Sequence, residues 1–147
     1  MSLKERLLED MKLAMRDKDL IRKNSIQMVR SAVLQVEKDS KTTLDDDGVI
    51  EIIAKEVKKR KDSLPEFEKS GRQELIDNLN SEIQVLMHYL PQQLSEDELI
   101  TIVKDAIEKT GASSIRDMGK IMQAVMPQIK GRADGKAVNQ IVNRLLN

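Results

Sequence analysis

Three cations, Lys130, Arg132 and Lys136, fall within the nine-residue run QIKGRADGK at positions 128–136. An apolar helical pattern precedes the run, and a second, shorter amphipathic pattern opens directly after it. Peptide N–H groups at a helix start, with cations beside them, form a layout suited to holding a phosphate. No residue in the segment is suited to covalent chemistry. These residues fit phosphate binding without catalysis; the alternative is a plain polar connector in which Asp134 only caps the next helix.

Other chemistries fit less well. His88 is the single histidine and the chain has no cysteine, so a typical zinc site has no anchor and no histidine relay is visible; a structural place at a helix boundary is expected. Asp45-Asp46-Asp47-Gly48 suggests a calcium loop. With Gly48 at loop position six, however, Thr43 and Ala54 stand where carboxylates are obligatory. Helix capping is the expected role. The run from Gly131 to Ala137 resembles a nucleotide loop, but its glycines are too close, Ala137 replaces the hydroxyl residue, and a helix rather than a strand precedes it. A helix-turn-helix would need a connection of three or four residues, against about seven expected here, Gln128 to Asp134. Lys55, Lys58, Lys59, Arg60 and Lys61 form a basic cluster, with Glu51 and Glu56 one turn before Lys55 and Arg60 respectively. That spacing predicts a solvated, salt-bridged face, with a secondary phosphate-contacting stripe as the alternative. No catalytic residue, metal ligand set or cofactor site is expected.

The whole chain has 25 basic and 25 acidic side chains, so it is not a strongly basic nucleic-acid binder. The distribution is uneven. Residues 112–147 carry six cations (Arg116, Lys120, Lys130, Arg132, Lys136, Arg144) against Asp117 and Asp134, net +4, while residues 93–111 are net −3. Phe67 and Tyr89 are the only aromatics, so the core must be aliphatic and methionine-rich. That composition favours packed helices over strands. The N-terminal stretch is charged from Lys4 and lacks the apolar run of a secretory signal. No stretch approaches the ~20 apolar residues of a membrane span. A soluble cytoplasmic protein is expected.

The elements follow from apolar spacing. Leu3, Leu7, Met11 and Met15 mark a first helix. Asp17 or Asp19 caps a second, with Ile21, Met28, Val29, Ala32 and Val36 as its stripe. A third opens at Asp45–Asp47, with Val49, Ile50, Ile53 and Val57 inward, and Pro65 interrupts or kinks it. Gly71 precedes a fourth, ended by Pro91. Ser95 and Glu98 form a capping box for a fifth helix closed by Gly111. Ser114 starts a sixth, which Pro127 stops. Asp134 caps a seventh, with Val138, Ile141, Val142 and Leu145 as its face. The fold class is all-α. Two helical domains are expected: an N-terminal one of about four helices (residues 1–91) and a C-terminal three-helix one (92–147).

The tail MGKIMQAVMPQIKGRADGKAVNQIVNRLL (118–146) resembles the C-terminal signature of the GatB/YqeY family. YLPQQLSEDEL (89–99) and TGASSIRDMGK (110–120) match it as well. SLKERLLEDMKLAMRDKD and EVKKRKDSLPEFEKSGRQEL resemble the stand-alone YqeY-like members. The resemblance implies a C-terminal domain similar to the tail of the B subunit of tRNA-dependent amidotransferases, which holds tRNA while other domains do the chemistry. Carried over residue by residue, it implies RNA contacts at Gly119, Lys120, Lys130, Gly131, Arg132, Asp134, Gly135 and Lys136. Gln128 stands where a basic residue is frequent in the family, which thins the positive patch.

The expected function is an accessory tRNA-binding module, weak alone and non-catalytic by itself, with an aminoacyl-tRNA synthetase or an amidotransferase as a partner. The alternatives are a helical protein–protein adaptor near translation, and a component of a carbon–nitrogen ligase (glutamine amido-N-donor) that would need partner subunits for its chemistry.

Overall fold

The computed structural model describes residues 1–146, which form seven α-helices, one 3₁₀ turn and no strand. The backbone divides into two compact units, Met1–Leu90 and the segment from Pro91 onward.

The first unit contains α1 (Leu3–Arg16), α2 (Leu20–Ser40), α3 (Asp46–Ser70) and α4 (Gln73–Met87). A capping box opens α1: Ser2 Oγ accepts from the Glu5 N–H, and the Glu5 carboxylate accepts from the Ser2 N–H. Asp19 and Asp45 cap α2 and α3 through their carboxylates. Asp46 reaches further, accepting the Leu3 N–H at 3.0 Å, so the starts of α1 and α3 are tied together. Gly71, at φ +69°, closes α3 in the left-handed conformation that glycine adopts without strain.

Leu7, Ile26, Val29, Val49, Ile53 and Leu86 are fully enclosed. Tyr89 is buried beside them. Its hydroxyl donates to Asp10 at 2.5 Å, and Arg6 lies over its ring. Burial and the Asp10 carboxylate hold the phenol well above its usual range.

Four details differ from the sequence reading. Pro65 does not interrupt α3, which continues to Ser70; Pro65 and Lys61 are both exposed, so water can replace the missing N–H donor. α2 buries Ser25, Ile26, Val29 and Val33 while exposing Met28 and Val36. Apolar residues surround that helix, so its spacing fits two faces. The basic cluster is not wholly a solvated face, because Arg60 and Glu56 are each 6% exposed. Arg60 Nη1 donates to the Glu56 carbonyl at 2.9 Å, and its Nε lies 3.5 Å from Glu82 Oε1. Finally, α4 ends at Met87 with exposed His88 as its cap, before Pro91 is reached.

The second unit contains α5 (Glu96–Thr110), the 3₁₀ turn (Ile115–Asp117), α6 (Met118–Ile129) and α7 (Gly135–Leu146). The Ser95–Glu98 capping box and the left-handed Gly111 bound α5. Ser114 caps the 3₁₀ turn through its hydroxyl, and α6 follows without a break. Val103, Ile121, Val125, Val138 and Val142 are fully buried, with Ile129 nearly so.

Pro127 does not stop α6. The helix passes through it to Ile129 because Pro127 and Gln123 are exposed and Ile129 must enter the core. The connection to α7 is therefore Lys130–Asp134, two residues shorter than expected at its start. It still exceeds the three or four residues of a helix-turn-helix. Leu145 is exposed, and Leu146 takes the inward place at the end of α7. Among the described residues, no helix is long and apolar enough to cross a membrane.

Candidate functional site

The connection between α6 and α7 is built by backbone hydrogen bonds. Lys130 leaves α6 with φ −53° and ψ 117°. Gly131 then turns at φ +72°, a conformation costly for any residue with a Cβ. The turn sends the N–H groups of Arg132 and Ala133 back to the Ile129 carbonyl at 2.7 and 3.0 Å.

A strap from residues 92–94 then holds the turn in place. Leu94 N–H donates to the Arg132 carbonyl at 2.9 Å, and Gln93 Nε2 donates to the Gly131 carbonyl at 2.8 Å. Arg132 Nε donates back to the Gln92 carbonyl at 3.2 Å. In the sequence this stretch is legible as a domain boundary and as part of the family signature, not as a strap. The contacts span about forty positions and all end on backbone carbonyls, so no local pairing of residue types announces them.

The expected row of free N–H groups at the start of α7 is largely taken. Asp134 Oδ1 accepts the Lys136 N–H at 3.1 Å, and the Asp134 carbonyl accepts those of Ala137 and Val138. Asp134 thus caps the helix, as its position suggested, and places a carboxylate where an external anion would sit. The loop and the first turn of α7 also carry three cations. Lys130 and Lys136 are exposed, and Arg132 is half-buried against the strap. Arg132 also faces Glu98, whose carboxyl is held below its usual range by the Ser95 N–H and hydroxyl and, to a smaller extent, by Arg132.

Gly119 and Lys120 lie in the first turn of α6, at the opposite end from Lys130. Ten helical residues put Lys120 and Lys130 about 15 Å apart along the axis, beyond the ~8 Å screening length at physiological salt. The eight expected contact residues therefore form two groups, Lys130 to Lys136 and Gly119–Lys120. Asp117 sits beside the second group, its carboxyl lowered chiefly by accepting the Ser113 N–H, with Lys120 adding a smaller pull.

The glycines separate by cause. Gly131 is favoured by its dihedral angle. A Cβ at Gly119 would meet nothing within 4 Å, and one at Gly135 would make ordinary contact with Met122 at 3.7 Å. The fold itself does not require glycine at 119 or 135.

The sequence profile of YqeY-like proteins matches residues 4–146. The chain belongs to the YqeY-like family. The likeness read from the tail and the N-terminal stretches thus extends over nearly the whole molecule. Among family relatives, a protein of Pyrenophora tritici-repentis named "Altered inheritance of mitochondria protein 41, mitochondrial" is 29% identical over 144 residues, covering 96% of this chain and 79% of its own. The protein of the same name from Kluyveromyces lactis is 33% identical over 129 residues, covering 82% of this chain and 70% of its own.

Proposed function

We propose that this family member is an accessory, non-catalytic RNA-binding module of the cytoplasm, with tRNA as its ligand. The observation that carries the reading is the Lys130–Lys136 turn. It is fixed by the 92–94 strap and presents cations from the most positive stretch of a neutral chain.

Side-chain cations rather than a helix N-terminus do the holding. Only Phe67 and Tyr89 are aromatic, so base stacking adds little and phosphate contacts dominate. Binding is micromolar or weaker at physiological salt, as for sequence-independent contacts. Such a module becomes effective when a partner, such as an aminoacyl-tRNA synthetase or an amidotransferase, raises its local concentration.

Filter binding of a tRNA transcript tests this. Four phosphate contacts give a log–log salt slope near −3. Lys130→Ala with Lys136→Ala, two exposed positions, should flatten the slope by about two with helicity unchanged. Binding equal to wild type would make the loop a connector and favour an adaptor. That second reading has its own support in the exposed Leu13, Met15, Leu20, Met28 and Leu34 of α1 and α2.

A further inference from the structure

The solvent face of α7 has an unusual composition for this chain. Charged residues make up 34% of the sequence, yet α7, GKAVNQIVNRLL, contains no acidic residue. Lys136, Asn139, Gln140, Asn143 and Arg144 are all exposed. At 3.6 residues per turn they fall within an arc of about 140°, opposite the buried Val138, Ile141 and Val142. Lys136, Gln140 and Asn143, spaced i, i+4 and i+7, form its central ridge.

Helix formation does not explain the two asparagines. Asparagine is a poor helix former compared with the Glu, Lys and Arg used on most exposed faces, and α7 is only 12 residues long. Packing does not explain them either, since they are exposed. Three amides with a cation at each end make a surface of donors and acceptors set between two phosphate-binding charges. A side-chain amide both donates and accepts, which matches the ribose 2′-hydroxyl, a group that does the same. The opposite sign of charge lies on the 93–111 segment, net −3. A polyanion is therefore repelled from the side of α5 and attracted to α7.

We propose that the exposed face of α7 contacts the sugar–phosphate edge of structured RNA. Asn139, Gln140 and Asn143 engage ribose hydroxyls, and Lys136 and Arg144 hold the flanking phosphates. This rests on the RNA-binding reading and adds to it a means of distinguishing RNA from DNA. Arg144 Nη2 lies 3.0 Å from Glu96 Oε1, with both side chains more than half exposed. Such a pair is worth little, so a phosphate can displace Glu96. Glu96 then acts as a built-in competitor.

The test uses the full chain with an RNA hairpin and a DNA hairpin of the same sequence, measured across a salt series. The triple variant Asn139→Ala, Gln140→Ala, Asn143→Ala should bind the RNA hairpin about tenfold more weakly. Its salt slope should stay at the wild-type value, because no charge is removed, and its preference for RNA over DNA should shrink toward one. Asn143→Asp, nearly isosteric, should also weaken binding, while Glu96→Gln should strengthen it a few-fold. If the triple variant keeps the wild-type affinity and preference, the α7 face is no contact surface, although the loop reading stands. A wild-type chain that binds RNA and DNA equally overturns ribose recognition. A wild-type chain that binds no RNA overturns the loop reading and this one together.

Discussion

Arg132 holds Gln92 with its side chain and Leu94 with its backbone. Its Nε donates to the Gln92 carbonyl, and its own carbonyl accepts the Leu94 N–H. The residue expected to grip phosphate is thus also a clasp that fixes the turn it sits in. Only the Nη groups of its guanidinium are left for a ligand by this arrangement.

Arg132→Ala should therefore act on stability as well as on binding. Loss of the Gln92 contact should lower stability by about 0.5–1.5 kcal/mol, the usual net worth of one hydrogen bond. Chemical denaturation followed by circular dichroism measures it. An unchanged midpoint would mean that the backbone bond from Leu94 holds the strap alone.

Gly119→Ala separates fold from function at the start of α6. Open space surrounds the added methyl, so the helix should gain up to about 0.5–1 kcal/mol. If RNA backbone approaches the peptide at this turn, the same variant should bind tRNA several-fold more weakly. A gain in stability with full binding would remove Gly119 from the contact set.

Arg60→Ala should be among the most damaging single changes in the first unit. It leaves the buried Glu56 with exposed Lys59 as its remaining partner and removes the contact to Glu82. Breaking a buried ion pair in this way costs about 3–5 kcal/mol. Lys59→Ala, at an exposed neighbour paired to the same Glu56, should cost under about 1 kcal/mol. Thermal melts of the two variants give the comparison, and equal losses would count against it.

Acid should loosen the caps of the second unit. Glu98 and Asp117 are held below their ordinary values by N–H donors, so the unfolded chain takes up protons more readily than the folded one. Their contribution is complete above the ordinary carboxylate range, near pH 4. It is lost as pH falls through the lowered folded values. Glu98→Gln should therefore be less stable than wild type at pH 7, with the gap closing toward pH 2. A gap independent of pH would assign the effect to shape rather than charge.

What the sequence revealed depended on range. Asp19, Asp45, Ser95, Gly71 and Gly111 act within one helical turn, and each bounds a helix as its type predicts. Pro65 and Pro127 misled because a proline ends a helix only where neither packing nor water compensates, and both lie on exposed stretches with core residues nearby. Met28 and Ile26 compete for the inward side of α2, and partner helices rather than periodicity decide between them. Lys130, Arg132, Asp134 and Lys136 were visible as a cluster. Invisible were the strap that clasps Arg132 and the extent to which Asp134 uses the N–H groups of α7, both set by how the chain is placed in three dimensions.

The buried pair of Glu56 and Arg60 also constrains how relatives of this chain can diverge. Each member is tolerable only while the other persists, yet exchanging both for aliphatic residues of similar volume would be close to neutral. Any stepwise route between the ionic and the aliphatic solution passes through a poorly folded intermediate. Positions 56 and 60 are thus expected to covary as a pair along lineages, and a scan of single substitutions would record them as immutable although the fold does not require their charge.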